Sequence, residues 1–159
     1  MKIERLGEFR VLSLRECPVE LGRRCDTPEG AADYWTANIA PDPRFSPDCE
    51  TIWGLCLSTR RLVFGCYLIA TGTLDTMLCD PRAVFRPPII ANASAIILMH
   101  NHPSGDPTPS EADVKITREL IRGGQLLKIE LLDHVIMGAV TPDRVRPWVS
   151  LRELGYFYT

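Results

Sequence analysis

Apolar and polar positions change their spacing several times along this chain, and each change marks an element. Residues 8–14 (EFRVLSL) read as a first strand. Residues 27–39 (TPEGAADYWTANI) read as a helix, with Thr27 as N-cap and Pro28 at the first helical position. The stretch 40–48 (APDPRFSPD) carries three prolines and is a loop. Two runs rich in β-branched and aromatic residues follow, TIWGLCLS (51–58) and LVFGCYLIATG (62–72), and the short connection between them predicts an antiparallel hairpin. At 80–85 (DPRAVF) a second helix starts, capped by Asp80 with Pro81 at its first position, and Pro87-Pro88 are expected to break or kink it. Residues 93–102 (ASAIILMHNH) are continuously apolar up to two histidines, the pattern of a buried central strand. The segment 111–124 places Val114, the Thr117 methyl, Leu120 and Ile121 on one helical face and is expected to stop at Gly123-Gly124. A further strand is expected at 129–138 (IELLDHVIMG). Without internal repeats or a low-complexity linker, the sum is an α/β sheet domain with helices on its faces.

Composition narrows this picture. A chain of 159 residues with 45% hydrophobic content suits one compact domain with a real core. Eighteen basic residues against twenty acidic ones give a net charge of -2, which offers no electrostatic footprint for nucleic acid. The adjacent Arg60 and Arg61 fall between two strands and read as a solvated turn rather than a basic patch. The six cysteines (17, 25, 49, 56, 66 and 79) show no C-x-x-C spacing, and Cys56 and Cys66 lie in strand-like runs where a thiol packs as a small hydrophobe. The charged start MKIER does not read as a secretory leader, so reduced thiols and a cytoplasmic location are the expectation. No apolar run is long enough to span a bilayer.

Candidate chemistry gathers in HNHPSGDPTPSEAD, residues 100–113. Residues i and i+2 of a strand share a face about 6 to 7 Å apart, so His100 and His102 can both address a point just past the strand's end. Two histidines, one carboxylate and a water form a catalytic zinc set, and Asp113 in the first turn of the next helix is the natural third ligand. A second reading competes with this one. Ser110-x-x-Asp113 ahead of an apolar helix is also a capping box, in which both side chains serve backbone N–H groups. Capping alone leaves two histidines at the end of an apolar strand unexplained. Asp106 reads as a turn residue bonding its own backbone. Asp133-His134, inside an apolar strand, reads as a hydrogen-bonded core pair and is kept out of the site.

The spacing His100-x-His102-x7-Ser110-x2-Asp113 resembles the JAMM (MPN+) metalloprotease motif, and with LLDHVIMG and VSLRELG downstream it looks like the RadC-type branch. The resemblance covers roughly residues 45 to 157. It implies a single JAB/MPN-like, cytidine-deaminase-like domain over 45–159, a mixed sheet flanked by helices, with residues 1–44 as an extension packing on it. It also implies that His100, His102 and Asp113 hold zinc, and that Ser110 steadies the bound water or the developing oxyanion. The motif requires an upstream glutamate at the start of a strand, which Glu50 matches, although by itself Glu50 is equally a polar residue at a loop–strand junction. The implied activity is zinc-dependent hydrolysis of a peptide or isopeptide-like amide in a peptide or protein substrate. A DNA-repair-associated protein or a metal-dependent nuclease is the alternative. Longer members carry an N-terminal helix-hairpin-helix region associated with DNA, which nothing in residues 1–44 resembles; the chain is more similar to the short forms of prophages and plasmids. Pro88 departs from the pattern, standing where a helix former is usual. No membrane partner is expected, and RVRPW (144–148) and LGYFYT (154–159) are candidate contacts for a homodimer.

Overall fold

The computed structural model describes residues 23–72 and 79–158, so the strand expected at 8–14 lies outside the described residues. Thr27 adopts extended backbone and its hydroxyl accepts from the Gly30 N–H, which starts helix α1 (Pro28–Tyr34) as the sequence implies. The helix widens into a π-turn at Trp35–Ile39, which presses Trp35 and Ile39 into the core. The hairpin is present as β1 (Glu50–Leu57) and β2 (Val63–Gly72), and Arg61 turns the chain at φ 62°. Its guanidinium pairs with Glu130 at 2.6 Å while Arg60 is exposed, so the arginine pair is a solvated turn.

Helix α2 (Pro81–Ala91), capped by Asp80, continues through Pro87-Pro88, so the break that was one of the two expected outcomes does not occur. Proline removes an N–H from the helical ladder, so the Val84 carbonyl loses its donor at position 88. The Tyr67 hydroxyl supplies a replacement, donating to Val84 O at 2.7 Å. Tyr67 reaches this position by lying across Gly54, where an added Cβ would sit 2.2 Å from the ring. A glycine on β1 and a tyrosine on β2 therefore compensate for a proline in α2.

Strand β3 (Ala95–Asn101) is buried along its whole length, as expected of a central strand. Helix α3 (Glu111–Leu127) follows, then β4 (Glu130–Met137) and the short β5 (Trp148–Ser150). The expected end of α3 at Gly123-Gly124 is wrong: the helix continues to Leu127 and leaves through Lys128 in the left-handed region at φ 58°. Gly124 is instead a packing glycine, since a Cβ there would lie 2.4 Å from the Ile129 carbonyl. Among the described residues, five strands form one sheet in the order β2-β1-β3-β4-β5, antiparallel except for the β3–β4 pair. Side chains of period two fill both faces. Trp53, Leu55, Ile97, Met99 and Val135 pack with α1, whereas Ile52, Ile96, Leu98 and Leu131 pack with α2 and α3. Each of these buried side chains contributes about 1.5–3 kcal/mol, so the central strand that ends at the histidines is among the best-anchored parts of the described chain.

None of the described cysteines (Cys25, Cys49, Cys56, Cys66, Cys79) forms a disulfide. No helix among the described residues is long and apolar enough to cross a membrane.

Candidate metal centre

Strand alternation places the first ligand candidates. Ile96, Leu98 and His100 share the α3 face of β3, and Ile52 lies opposite His100 on β1, so Glu50 two residues earlier faces the same side. Just past β3, the chain turns through Gly105 at φ 79° and enters α3, whose first turn returns Asp113 to the histidines. One ligand atom from each of Glu50, His100, His102 and Asp113 lies within 4.8 Å of all the others. His100 Nε2 is 3.3 Å from Asp113 Oδ1 and 3.6 Å from Glu50 Oε1, and His102 Nε2 is 3.5 Å from Asp113 Oδ2. Four of the five side chains singled out in the sequence, all but Ser110, therefore meet at one point.

Capping and convergence on this point prove compatible. The Ser110 N–H and hydroxyl both donate to Asp113 Oδ2 at 2.7 Å, and the Ser110 oxygen accepts from the Asp113 N–H at 3.1 Å. Oδ1 has neither of these bonds and faces His100. The helix cap thus aims the carboxylate, one oxygen anchored and the other turned inward. Asp106 is a turn residue, its carboxylate accepting from Thr108 N–H and Oγ1, and it is not among the four convergent groups.

Hydrogen bonding fixes one proton on each ring. A backbone carbonyl only accepts, so the Asp106 carbonyl 2.7 Å from His102 Nδ1 requires Nδ1–H, and in the neutral ring the lone pair is then on Nε2. A longer relay fixes His100. Thr117 Oγ1 donates to the Asp113 carbonyl at 2.6 Å, hence accepts from His134 Nδ1 at 2.6 Å, and His134 Nε2 accepts from His100 Nδ1 at 2.8 Å. His100 Nε2 is therefore also a lone pair, only 3.0 Å from His102 Nε2. With both rings neutral, two nitrogen lone pairs and two carboxylates face one another, an all-acceptor centre that calls for a proton on His102 or a cation. This donor set fits a divalent metal.

Local electrostatics respond accordingly. Burial and the Asp113 charge push the Glu50 pKa up, against the opposing pull of His102. Burial disfavours the Asp113 anion, yet His102, His100 and Ser110 hold its carboxyl well below the usual range. Fully buried His100 is driven well below the ordinary histidine value by burial and by His134. On His102 burial opposes protonation, but Asp113, the Asp106 carbonyl and Glu50 raise its pKa. His134 falls to about 4, mainly through burial.

His134 is the residue the sequence reading set aside. It belongs beside the centre because β4 carries a bulge: Ile96 pairs with Leu131 and Ile97 with Asp133, so Leu132 is an extra residue. Leu131 packs towards α2 and α3 and Leu132 towards α1. The bulge reverses the alternation and brings His134 onto the face of Leu131 and His100. Alternation counted from Leu131 puts His134 on the wrong side, and the available signals were the chain's third histidine in a mostly apolar strand and the place of LLDHVIMG in the resemblance.

The model of the RadC-like JAB domain family matches residues 25–156. The chain belongs to this family. The match takes in α1 as well as the sheet. Among relatives of the RadC-like JAB domain, a "UPF0758 protein" of Desulfitobacterium hafniense is 50% identical over 108 residues, covering 68% of this chain and 45% of that protein. One from Roseiflexus is 42% identical over 156 residues, covering 94% of this chain and 64% of that protein, and one from Bacillus pumilus is 34% identical over 166 residues, at 98% and 69%. The match to the Desulfitobacterium protein thus spans less than half of that protein's length.

Proposed function

We propose that this RadC-like JAB domain is a zinc-dependent hydrolase of the JAMM type, cutting a peptide or isopeptide-like amide bond. The all-acceptor centre carries the proposal: two imidazole lone pairs and two carboxylates converge where a cation relieves their repulsion. His100, His102 and Asp113 give two nitrogens and an oxygen, the donor set of a catalytic zinc site that keeps a position open for water. Zinc bound there supplies Lewis acidity towards the substrate carbonyl and lowers the pKa of water to roughly 7.

The remaining work falls to the chain's own side chains. Glu50, a buried carboxylate of raised pKa 3.6 Å from His100 Nε2, is the proton carrier. It takes a proton from the attacking water as oxygen bonds to the carbonyl carbon, and delivers it to the nitrogen as the C–N bond breaks. Ser110 has two tasks. Its N–H holds Asp113, and rotation about one side-chain bond frees its hydroxyl to donate to the substrate oxygen while that N–H keeps its grip. The alternative, a nuclease or DNA-repair role at the same centre, gains no electrostatic support from a net charge of -2.

Incubation of the zinc-loaded chain with peptide and isopeptide-linked libraries tests the proposal. Cleavage is expected, abolished by a chelator and lowered at least about hundredfold in Glu50→Gln with zinc retained. Undiminished cleavage by Glu50→Gln removes Glu50 from the reaction. Cleavage of nucleic acid with no amide hydrolysis would favour the alternative.

A further inference from the structure

We propose that Asn101, the residue between the two histidines, is the positioning residue for Glu50; this rests on the reading of Glu50 as proton carrier. Pairing between β1 and β3 ends at Ile52 and His100, so the backbone around Glu50 lies beyond the last rung on that side. Asn101 alternates to the face opposite the histidines and is buried, 6% exposed. Its amide takes over where the ladder stops. Oδ1 accepts from the Thr51 N–H at 3.0 Å and from Thr51 Oγ1 at 2.8 Å, while Nδ2 donates to the Cys49 carbonyl at 2.9 Å. One side chain thus holds the residues immediately before and after Glu50.

Trp53 Nε1 completes the arrangement by donating to Thr51 Oγ1 at 3.0 Å. On the other side, Glu50 pairs with Gly72 at the far end of the β1–β2 register. The segment that presents Glu50 is therefore fixed towards β3 by a single amide rather than by backbone rungs. Its chemistry is specific: one group must accept from Thr51 and donate to Cys49 O, which asparagine does at this length. Aspartate would set an acceptor against the Cys49 carbonyl, and alanine would leave both backbone groups without a partner. Because Asn101 adjoins both histidines, it ties the position of the proton carrier to the end of the strand from which two ligand candidates project.

Asn101→Ala and Asn101→Asp in the full chain, loaded with zinc, provide the test. Zinc affinity, read by competition with a chromophoric chelator, should stay within about threefold of wild type, unlike the ten- to hundredfold loss after damage to a ligand's support. kcat towards a cleaved peptide should fall about hundredfold with KM unchanged, the cost of misplacing a reacting group by an ångström. In a Glu50→Gln background the same substitutions should change nothing further. Independently of activity, hydrogen exchange of the Thr51 amide should quicken at least about tenfold while Leu98 and Val135 keep their protection. Wild-type kcat overturns the proposal, as does an equal rate loss in the Glu50→Gln background, a zinc loss like that of Asp113→Ala, or uniform acceleration of exchange across the core. Should Glu50→Gln itself remain active, the proton-carrier reading fails, and Thr51 exchange alone decides whether Asn101 holds the segment: quickened exchange supports the grip and unchanged exchange overturns it.

Discussion

Thr117→Val tests the relay that fixes the His100 lone pair. The substitution nearly preserves shape and removes one hydroxyl, which accepts from His134 Nδ1–H at 2.6 Å and donates to the Asp113 carbonyl at 2.6 Å. His134 is 1% exposed, so no water replaces the lost acceptor. An unmade hydrogen bond at such a site costs about 1–3 kcal/mol, which urea unfolding of the metal-free protein should register. His134 relieves part of that penalty by moving its proton to Nε2. That proton then meets His100 Nδ1 and forces the His100 proton onto the nitrogen facing the centre. Zinc must displace it, so zinc affinity should fall about ten- to hundredfold. Thr117→Ser restores the hydroxyl and should recover both properties. Stability within about 0.5 kcal/mol of wild type together with unchanged zinc affinity in Thr117→Val would refute the reasoning.

Two other substitutions probe the framework. Tyr67→Phe removes the donor that replaces the missing Pro88 N–H at Val84 O and should lower stability by about 1–3 kcal/mol, measured by urea denaturation, without altering zinc affinity; an unchanged unfolding midpoint contradicts the compensation. Burial lifts Asp133 to about 6 despite donors from Ser150, His134 and Arg152. The native state then holds this proton more tightly than the unfolded chain, so the group's contribution is full at low pH and is lost as pH rises from about 4 through 6. Asp133→Asn should make stability rise more steeply with pH over that window, by at most about 1.4 kcal/mol per unit, and an identical slope refutes the assignment.

Much of this architecture is legible in the sequence because it depends on local rules. Thr27, Asp80 and Ser110 each begin a helix through a side-chain oxygen, and period-two runs define the hairpin and β3. His100, His102 and Asp113 are legible for the same reason, because a strand end and a helix cap have fixed geometry, whereas Glu50 by itself is equally a junction residue and stands out only through the resemblance to the JAMM motif. What local rules miss is compensation from a distance. Pro87-Pro88 read as a break because Tyr67, on another strand, cannot be seen from α2. Gly123-Gly124 read as a stop because glycine is a usual helix end signal, whereas Gly124 here makes room for the chain's own exit turn at Ile129. His134 is the buried, hydrogen-bonded residue the sequence implies; that one of its bonds runs to His100 depends on an extra residue in β4, and no local pattern announces a bulge. Asn101 carries no local signal of its role, because Thr51 and the Cys49 carbonyl lie about fifty residues away in the chain.

Metal stoichiometry tests the central claim most directly. The protein, made metal-free with a chelator, reloaded with zinc and freed of excess, is analysed for zinc per chain alongside Asp113→Ala and the His100→Ala/His102→Ala double variant. One tightly bound zinc in the wild type and none in the double variant is the expected result, with Asp113→Ala strongly depleted. Full occupancy in the double variant would contradict it.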